Sequence, residues 1–181
     1  MEADNKARKH QYHKTHEDRP DLAGEHKLSD IGQLVSLVAF MLVWIVDSFV
    51  FNFSDFLSRN IQWWILIIIA APFWIVAGYL AFKGLKTVFG TPQESPAVIT
   101  DGVFKYTRHP IYLGAMLVYV GMIISTLSLM SLGMFVLIML FYNCVANYEE
   151  KLLLEKFSDK YVQYQREVPK WGIRLIKKKF E

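Results

Sequence analysis

Residues 111–146 read IYLGAMLVYVGMIISTLSLMSLGMFVLIMLFYNCVA, thirty-six positions without a charged side chain. As one α-helix this run would extend roughly 54 Å, well beyond the ~30 Å hydrocarbon core of a bilayer. Ser125, Thr126 and Ser128 interrupt it near the middle. A tight helical hairpin resolves the length, with one span over 110–126 and a second over 129–147. Gly114, Gly121 and Gly133 are expected to let helices approach closely in this hairpin.

Working outward, two more apolar runs precede the hairpin, near 31–53 and 61–82. Trp63 and Trp64 stand where an interfacial aromatic belt would lie. Pro72 removes a backbone donor in mid-span. Asp47 falls late in the first run, where its carboxylate is expected to reach water or headgroups. Hydrophobic residues make up 53% of the 181 positions, and the charges gather in the first thirty, in 83–110 and in the last thirty-three. Such segregation excludes an ordinary soluble domain. The reading is an all-α integral membrane bundle of four transmembrane helices with a C-terminal amphipathic helical cap. Residues 1–28 form a polar tail and 29–181 the membrane domain.

Of the twenty Lys and Arg residues, only Arg59 falls in the turns opposite the tails and the central loop. The positive-inside rule places both termini in the cytoplasm. The basic excess therefore points to a lipid bilayer as partner rather than to nucleic acid. The tail offers no apolar stretch for a signal peptide. Its His10, His13, His16 and His26 lack cysteine partners, and no metal site is expected. Cys144 reads as a small packing residue. Oligomeric state is not legible.

After Tyr148 the residues Leu153, Phe157, Tyr161, Tyr164 and Val168 recur at helical spacing, with Ser158-Asp159 as an expected cap and Pro169 as a stop. This amphipathic segment is expected to lie on the membrane or fold back over the bundle.

Two polar elements flank the hairpin. Arg108-His109 precede Pro110, which suits the first turn of a helix. Glu149-Glu150 follow the last span. The hairpin returns the second element to the first. The result is a structural ion pair between Arg108 and a glutamate, or a polar pocket of cation, imidazole and acid roofed by the amphipathic segment.

The run Gly102-Val103-Phe104 with Arg108-His109-Pro110-Ile111-Tyr112-Leu113-Gly114, followed by Glu149-Glu150, Leu153, Phe157, Tyr161, Tyr164 and Val168-Pro169, resembles the isoprenylcysteine carboxyl methyltransferase-like family of integral-membrane methyltransferases. The likeness covers roughly residues 83–171 and implies methyl transfer from S-adenosyl-L-methionine to a lipophilic or membrane-associated acceptor, a prenylcysteine carboxylate among the candidates. Carried onto this chain, it implies a cofactor site lined by Val98, Ile99, His109, Pro110, Ile111, Tyr112 and Glu149. Arg108 and Glu150 stand as pocket wall, and His109 is the candidate base for an acceptor that must lose a proton. Phe104 replaces the family's usual tyrosine. Val145, between Asn143 and Asn147, stands where prenylcysteine methyltransferases carry an arginine. Relatives of similar pattern methylate phospholipid amines or small thiols. Two alternatives are a nicotinamide-dependent reductase on the same scaffold and a non-enzymatic membrane adaptor. The ten glycines contain no Gly-x-Gly pair, so a soluble Rossmann loop is excluded.

Overall fold

The computed structural model describes residues 27–89 and 97–172. The four tail histidines and the residues after Gly172 lie outside the described residues. Among the described residues every regular element is helical. Helix α1 spans Lys27–Ile45 and continues as a π-helical turn, Val46–Phe51, that ends at Asn52 in the left-handed region. Helix α2 spans Trp63–Phe89, α3 Pro110–Thr126, α4 Leu129–Phe157 and α5 Asp159–Glu167, with a 3-10 turn at Gly102–Lys105 before α3. Ile31–Phe51, Trp63–Val88 and Leu129–Phe157 are long and apolar enough to cross a membrane, whereas α3 is shorter, at 17 residues.

The short helix is the central one. No residue of α3 is exposed, and Pro110, Tyr112, Gly114, Met116, Tyr119, Gly121 and Met122 are buried. The other three long helices turn much of their apolar surface outward, for example Leu34, Val38, Ile68, Ile75, Leu137 and Leu140. That is the pattern expected when lipid, not water, is the outer solvent. The core joins Phe40 of α1, Tyr112, Met116, Tyr119 and Met122 of α3, and Ile138, Tyr142 and Ala146 of α4.

The expectation for the glycines holds in part. Gly114 admits the α2 backbone, where a Cβ would stand 3.1 Å from the Ala77 carbonyl oxygen, and Gly121 lies against the Trp74 indole. Both therefore serve the α2–α3 contact rather than the hairpin. Gly133 meets nothing among the described residues, because it falls on the outward side of α4.

The hairpin turns where the serines interrupt the apolar run. Leu127 takes a left-handed conformation (φ 54°) and Ser128 caps α4, its hydroxyl accepting from the Ser131 amide at 3.0 Å. Two boundaries differ from the sequence reading. Helix α2 runs past 82 to Phe89, since exposed Lys83 and Lys86 carry their charges outward on long stems without stopping the helix. The span expected to end near Asn147 lies on a helix, α4, that runs unbroken into the segment read as helical after Tyr148 and ends at Phe157, because Tyr148 to Lys156 contain no helix breaker. The break comes at Ser158 (φ 44°), whose side chain makes no capping bond to α5.

Asp47 also departs from expectation. It is 2% exposed, and its carboxylate accepts from the Ser54 amide and from the Ser54 and Ser128 hydroxyls. The chain after the π-helical turn folds back so that Ser54 and the hairpin serines enclose the acid. Ser54 Oγ accepts in turn from the Met130 amide at 2.9 Å, and Trp44 Nε1 donates to the Met122 carbonyl at 3.1 Å. Hydroxyls and amides thus replace the water or headgroups that the hydropathy pattern suggested.

Candidate functional site

The buried stripe of α4 runs Ser131, Ile138, Tyr142, Ala146, Glu150. The spacing of seven and then four residues keeps one face toward α3, so the face that packs the core ends on a carboxylate. Glu149 precedes it by about 100° of helix rotation and stands on a neighbouring line. Opposite, His109 is the residue before the first turn of α3 and Pro110 the first residue in it. The free amides of that first turn favour acidic groups nearby.

The two elements meet as a close cluster. His109 Nε2 lies 2.9 Å from Glu150 Oε1, and Arg108 Nη1 lies 3.3 Å from Glu150 Oε2. Gln165 of α5 donates to Glu150 Oε2 at 3.0 Å. Glu149 accepts from the Tyr112 hydroxyl, and its Oε2 stands 3.9 Å from His109 Nδ1. The Arg108, His109, Glu149 and Glu150 side chains are 12, 8, 13 and 10% exposed, so the polar groups act on one another with little screening. Burial pulls His109 below the usual histidine range, against the opposing influence of Glu150, with Lys170 and Arg108 adding to the lowering. A neutral imidazole that donates from Nε2 to Glu150 keeps a lone pair on Nδ1. Arg108 Nε is buried without a hydrogen-bond partner among the described residues.

Three further segments shape the cluster. The amide of Arg108 donates to the Pro169 carbonyl at 3.1 Å, and fully buried Thr107 donates from Oγ1 to the Lys170 carbonyl at 3.2 Å. This ties the chain after α5 to the residues before α3. The Trp171 ring then rests 5.6 Å from the His109 ring, which stacks on its other neighbour, Tyr112, with 5° between the planes. Tyr161 and Tyr164 of helix α5, with Val168 just after it, pack onto Leu153, Leu154, Phe157 and Val98, and Tyr164 donates to the Phe104 carbonyl at 2.8 Å. At position 104 the backbone thus supplies a polar contact that the phenylalanine side chain cannot make.

Of the residues singled out in the sequence, Arg108, His109, Tyr112, Glu149 and Glu150 converge. Pro110 opens α3, and both it and Ile111 pack over Gly84 of α2. Val98 belongs to the α5 cluster, and Ile99 is half-buried beside it in sequence. The sequence reading missed Gln165, Lys170 and Trp171. Gln165 looks like any polar residue of an amphipathic helix, and Lys170-Trp171 lie beyond the proline taken as a stop. Asn143 and Asn147, polar residues at i, i+4 near the end of an apolar block, were the available signal.

A family model described as phospholipid methyltransferase matches residues 61–160, from the start of α2 into α5, and includes all five converging residues. The protein-S-isoprenylcysteine O-methyltransferase of Saccharomyces cerevisiae is 30% identical over 106 residues, 58% of this chain and 44% of that protein. The protein of the same name from Schizosaccharomyces pombe is 35% identical over 80 residues, 44% of this chain and 34% of that protein. The chain therefore matches less than half the length of either relative.

Proposed function

The chain belongs to the phospholipid methyltransferase family, and on that footing we propose that it is a membrane methyltransferase using S-adenosyl-L-methionine on a lipophilic acceptor, with a prenylcysteine carboxylate the leading candidate. The observation that carries this reading is the convergence of Arg108, His109, Tyr112, Glu149 and Glu150 within one buried polar cluster at the end of a membrane bundle. The names of the two yeast relatives favour a prenylcysteine acceptor.

The residues fit such a cofactor. The Arg108 guanidinium, whose Nε is buried without a hydrogen-bond partner among the described residues, brings a cation for a carboxylate, and Glu149, set by the Tyr112 hydroxyl, offers an acceptor for an ammonium or a ribose diol. When bound, the cofactor supplies an activated methyl group on a sulfonium, so the protein's task is chiefly alignment. Glu150 holds Arg108 and His109 in place rather than meeting ligand. Tyr112 orients Glu149. His109 stays neutral and holds a lone pair at Nδ1, ready for an acceptor that has a proton to lose; a carboxylate acceptor makes no such demand.

We place four spans across the bilayer, with α3 spanning at its centre, sheltered by α1, α2 and α4, and α5 capping the site on the cytoplasmic side. Nineteen of the twenty Lys and Arg residues support that orientation. Titration of purified protein in detergent with S-adenosyl-L-methionine tests the function, with reduced nicotinamide dinucleotide as the comparison. Saturable binding of the first alone is expected. Binding of the nicotinamide alone would move the chain to a reductase, and binding of neither would leave a membrane adaptor. Cysteine labelling at Arg59 and near the C-terminus tests the topology, and labelling of both from one side would overturn it.

A further inference from the structure

Beside the cluster, Lys170 presents an ammonium with no carboxylate in ion-pair contact among the described residues, Glu150 acting on it only at longer range. Its Nζ donates to the Asn143 carbonyl at 3.3 Å, to Asn143 Oδ1 at 3.0 Å and to Asn147 Oδ1 at 2.6 Å. All three acceptors are neutral. Trp171 Nε1 donates to the same Asn143 Oδ1 at 3.1 Å, and the Trp171 ring lies 5.5 Å from the ammonium. Two donors converging on Asn143 Oδ1 settle that amide's orientation and turn its –NH2 group away from Lys170. Neither carboxamide –NH2 of Asn143 or Asn147 donates a hydrogen bond among the described residues. The side chain that should be most mobile here, a lysine, is therefore held at several points by neutral acceptors, with no carboxylate paired to it directly.

We propose that Lys170, Asn143 and Asn147 form a receptor for the anionic oxygen group of a lipophilic acceptor, entered sideways from the membrane. Three observations support it. The charge and the two amide donors stand together on one face of α4, at i and i+4, so a carboxylate or phosphate oxygen can take charge-assisted bonds from more than one of them. Asn147 and its neighbours Cys144 and Tyr148 are exposed, so the receptor opens on the outer side of the bundle while Trp171 separates it from His109 on the inner side. Asn143 lies seven residues from Glu150, about 10 Å along the helix toward the bilayer, at the depth of a headgroup with its apolar chain still in lipid. Asn143 and Asn147 lie inside the segment that the family model matches, and Lys170 lies outside it. Two acceptor sources share the chemistry, a prenylcysteine carboxylate and a phospholipid phosphate. The proposal rests on the methyl-transfer reading for turnover of the bound acceptor, but not for binding itself.

The test compares wild type, Lys170→Gln, Lys170→Arg and Asn147→Asp in detergent. The probes are an N-acetylated S-farnesyl cysteine as free acid and as methyl ester, and phosphatidylethanolamine against diacylglycerol in mixed micelles. Wild type is expected to prefer the charged member of one pair, and that pair names the source. Lys170→Gln is expected to weaken binding of that member about ten- to hundredfold and leave its neutral counterpart unchanged. Lys170→Arg retains the charge and much of the preference. Asn147→Asp neutralises the ammonium from the exposed side without removing it, and gives the same loss if Lys170→Gln fails to fold. In turnover, KM for the acceptor rises while kcat and S-adenosyl-L-methionine affinity hold. No preference within either pair would overturn the proposal. So would a Lys170→Gln variant that loses melting temperature, cofactor affinity and both probes alike, since Lys170 would then be only a tie between segments. A wild type that prefers the charged probe yet transfers no methyl group would remove the methyl-transfer reading and leave the receptor standing.

Discussion

The bundle buries acidic groups at two places, and it satisfies them by opposite means. Around Asp47 the donors are hydroxyls and an amide, namely Ser54, Ser128 and the Ser54 N–H, and no cation pairs with the carboxylate among the described residues. Around Glu149 and Glu150 the partners are a guanidinium, an imidazole, a phenol and a carboxamide. The first cluster joins α1, its following loop and the hairpin turn, and Asp47 is matched there to Ser54 and Ser128, while Oδ1 of the neighbouring Asp55 is buried without a hydrogen-bond partner among the described residues. The second leaves Arg108 Nε without a partner and keeps the Lys170 charge close by. A buried acid met by hydroxyls and an amide suits a structural tie, whereas the gathering of charged and titratable groups is what supports the proposed ligand site at the second cluster. Hydroxyls alone suit the first task because they rotate to meet a buried acid. Charged partners suit the second because they keep long-range attraction for whatever enters.

This contrast breaks most readily at Glu150. Glu150→Ala strands Arg108 and leaves His109 and Gln165 without their acceptor, a loss of about 3–5 kcal/mol for a buried pair cut on one side. Thermal unfolding in detergent is expected to show a large drop, with cofactor binding impaired as a consequence. Asp47→Ala comes next, at about 2–3 kcal/mol, because the Ser54 and Ser128 donors lose a charged acceptor. Here cofactor affinity measured on the folded protein should stay unchanged. A large effect on affinity would mean that the Asp47 cluster is no mere tie.

Glu149→Ala is expected to reverse that profile. Stability falls less than in Glu150→Ala, through the Tyr112 hydroxyl left without its acceptor, and S-adenosyl-L-methionine binding weakens by about ten- to hundredfold, the cost of one charge-assisted hydrogen bond, as calorimetric titration would show. Equal small losses in both glutamate variants would favour an entirely structural cluster. Tyr112→Phe should weaken binding less, by about 1 kcal/mol, because it only frees the Glu149 carboxylate to turn.

The smallest effect concerns pH. Burial lowers His109 from its ordinary value of 6.5. As pH falls through that value the unfolded chain binds a proton that the folded chain refuses, so stability declines until pH reaches the lowered folded value. The slope from this one group is at most about 1.4 kcal/mol per pH unit. His109→Gln should flatten the stability profile just below pH 6.5, and an unflattened profile would show that another group sets it.

Much of this arrangement was legible in the residues. A thirty-six-residue apolar run broken by Ser125, Thr126 and Ser128 implies a hairpin, and the observed turn at Leu127-Ser128 follows from helix length against bilayer thickness. Arg108-His109-Pro110 and Glu149-Glu150 then come together because a hairpin returns its end to its start. The helical class, the membrane setting, the hairpin and the meeting of Arg108-His109 with Glu149-Glu150 are therefore written in the sequence, since each depends on period, length and order along the chain. Which glutamate serves which partner came only with the folded bundle, because adjacent residues on a helix differ by about 100° and the rotation of α4 is set by packing against α3. The same holds for the enclosure of Asp47 and for the return of Lys170 and Trp171 to α4 beyond a proline. Those outcomes depend on contacts between residues distant in the chain, which no local pattern of hydropathy or charge encodes.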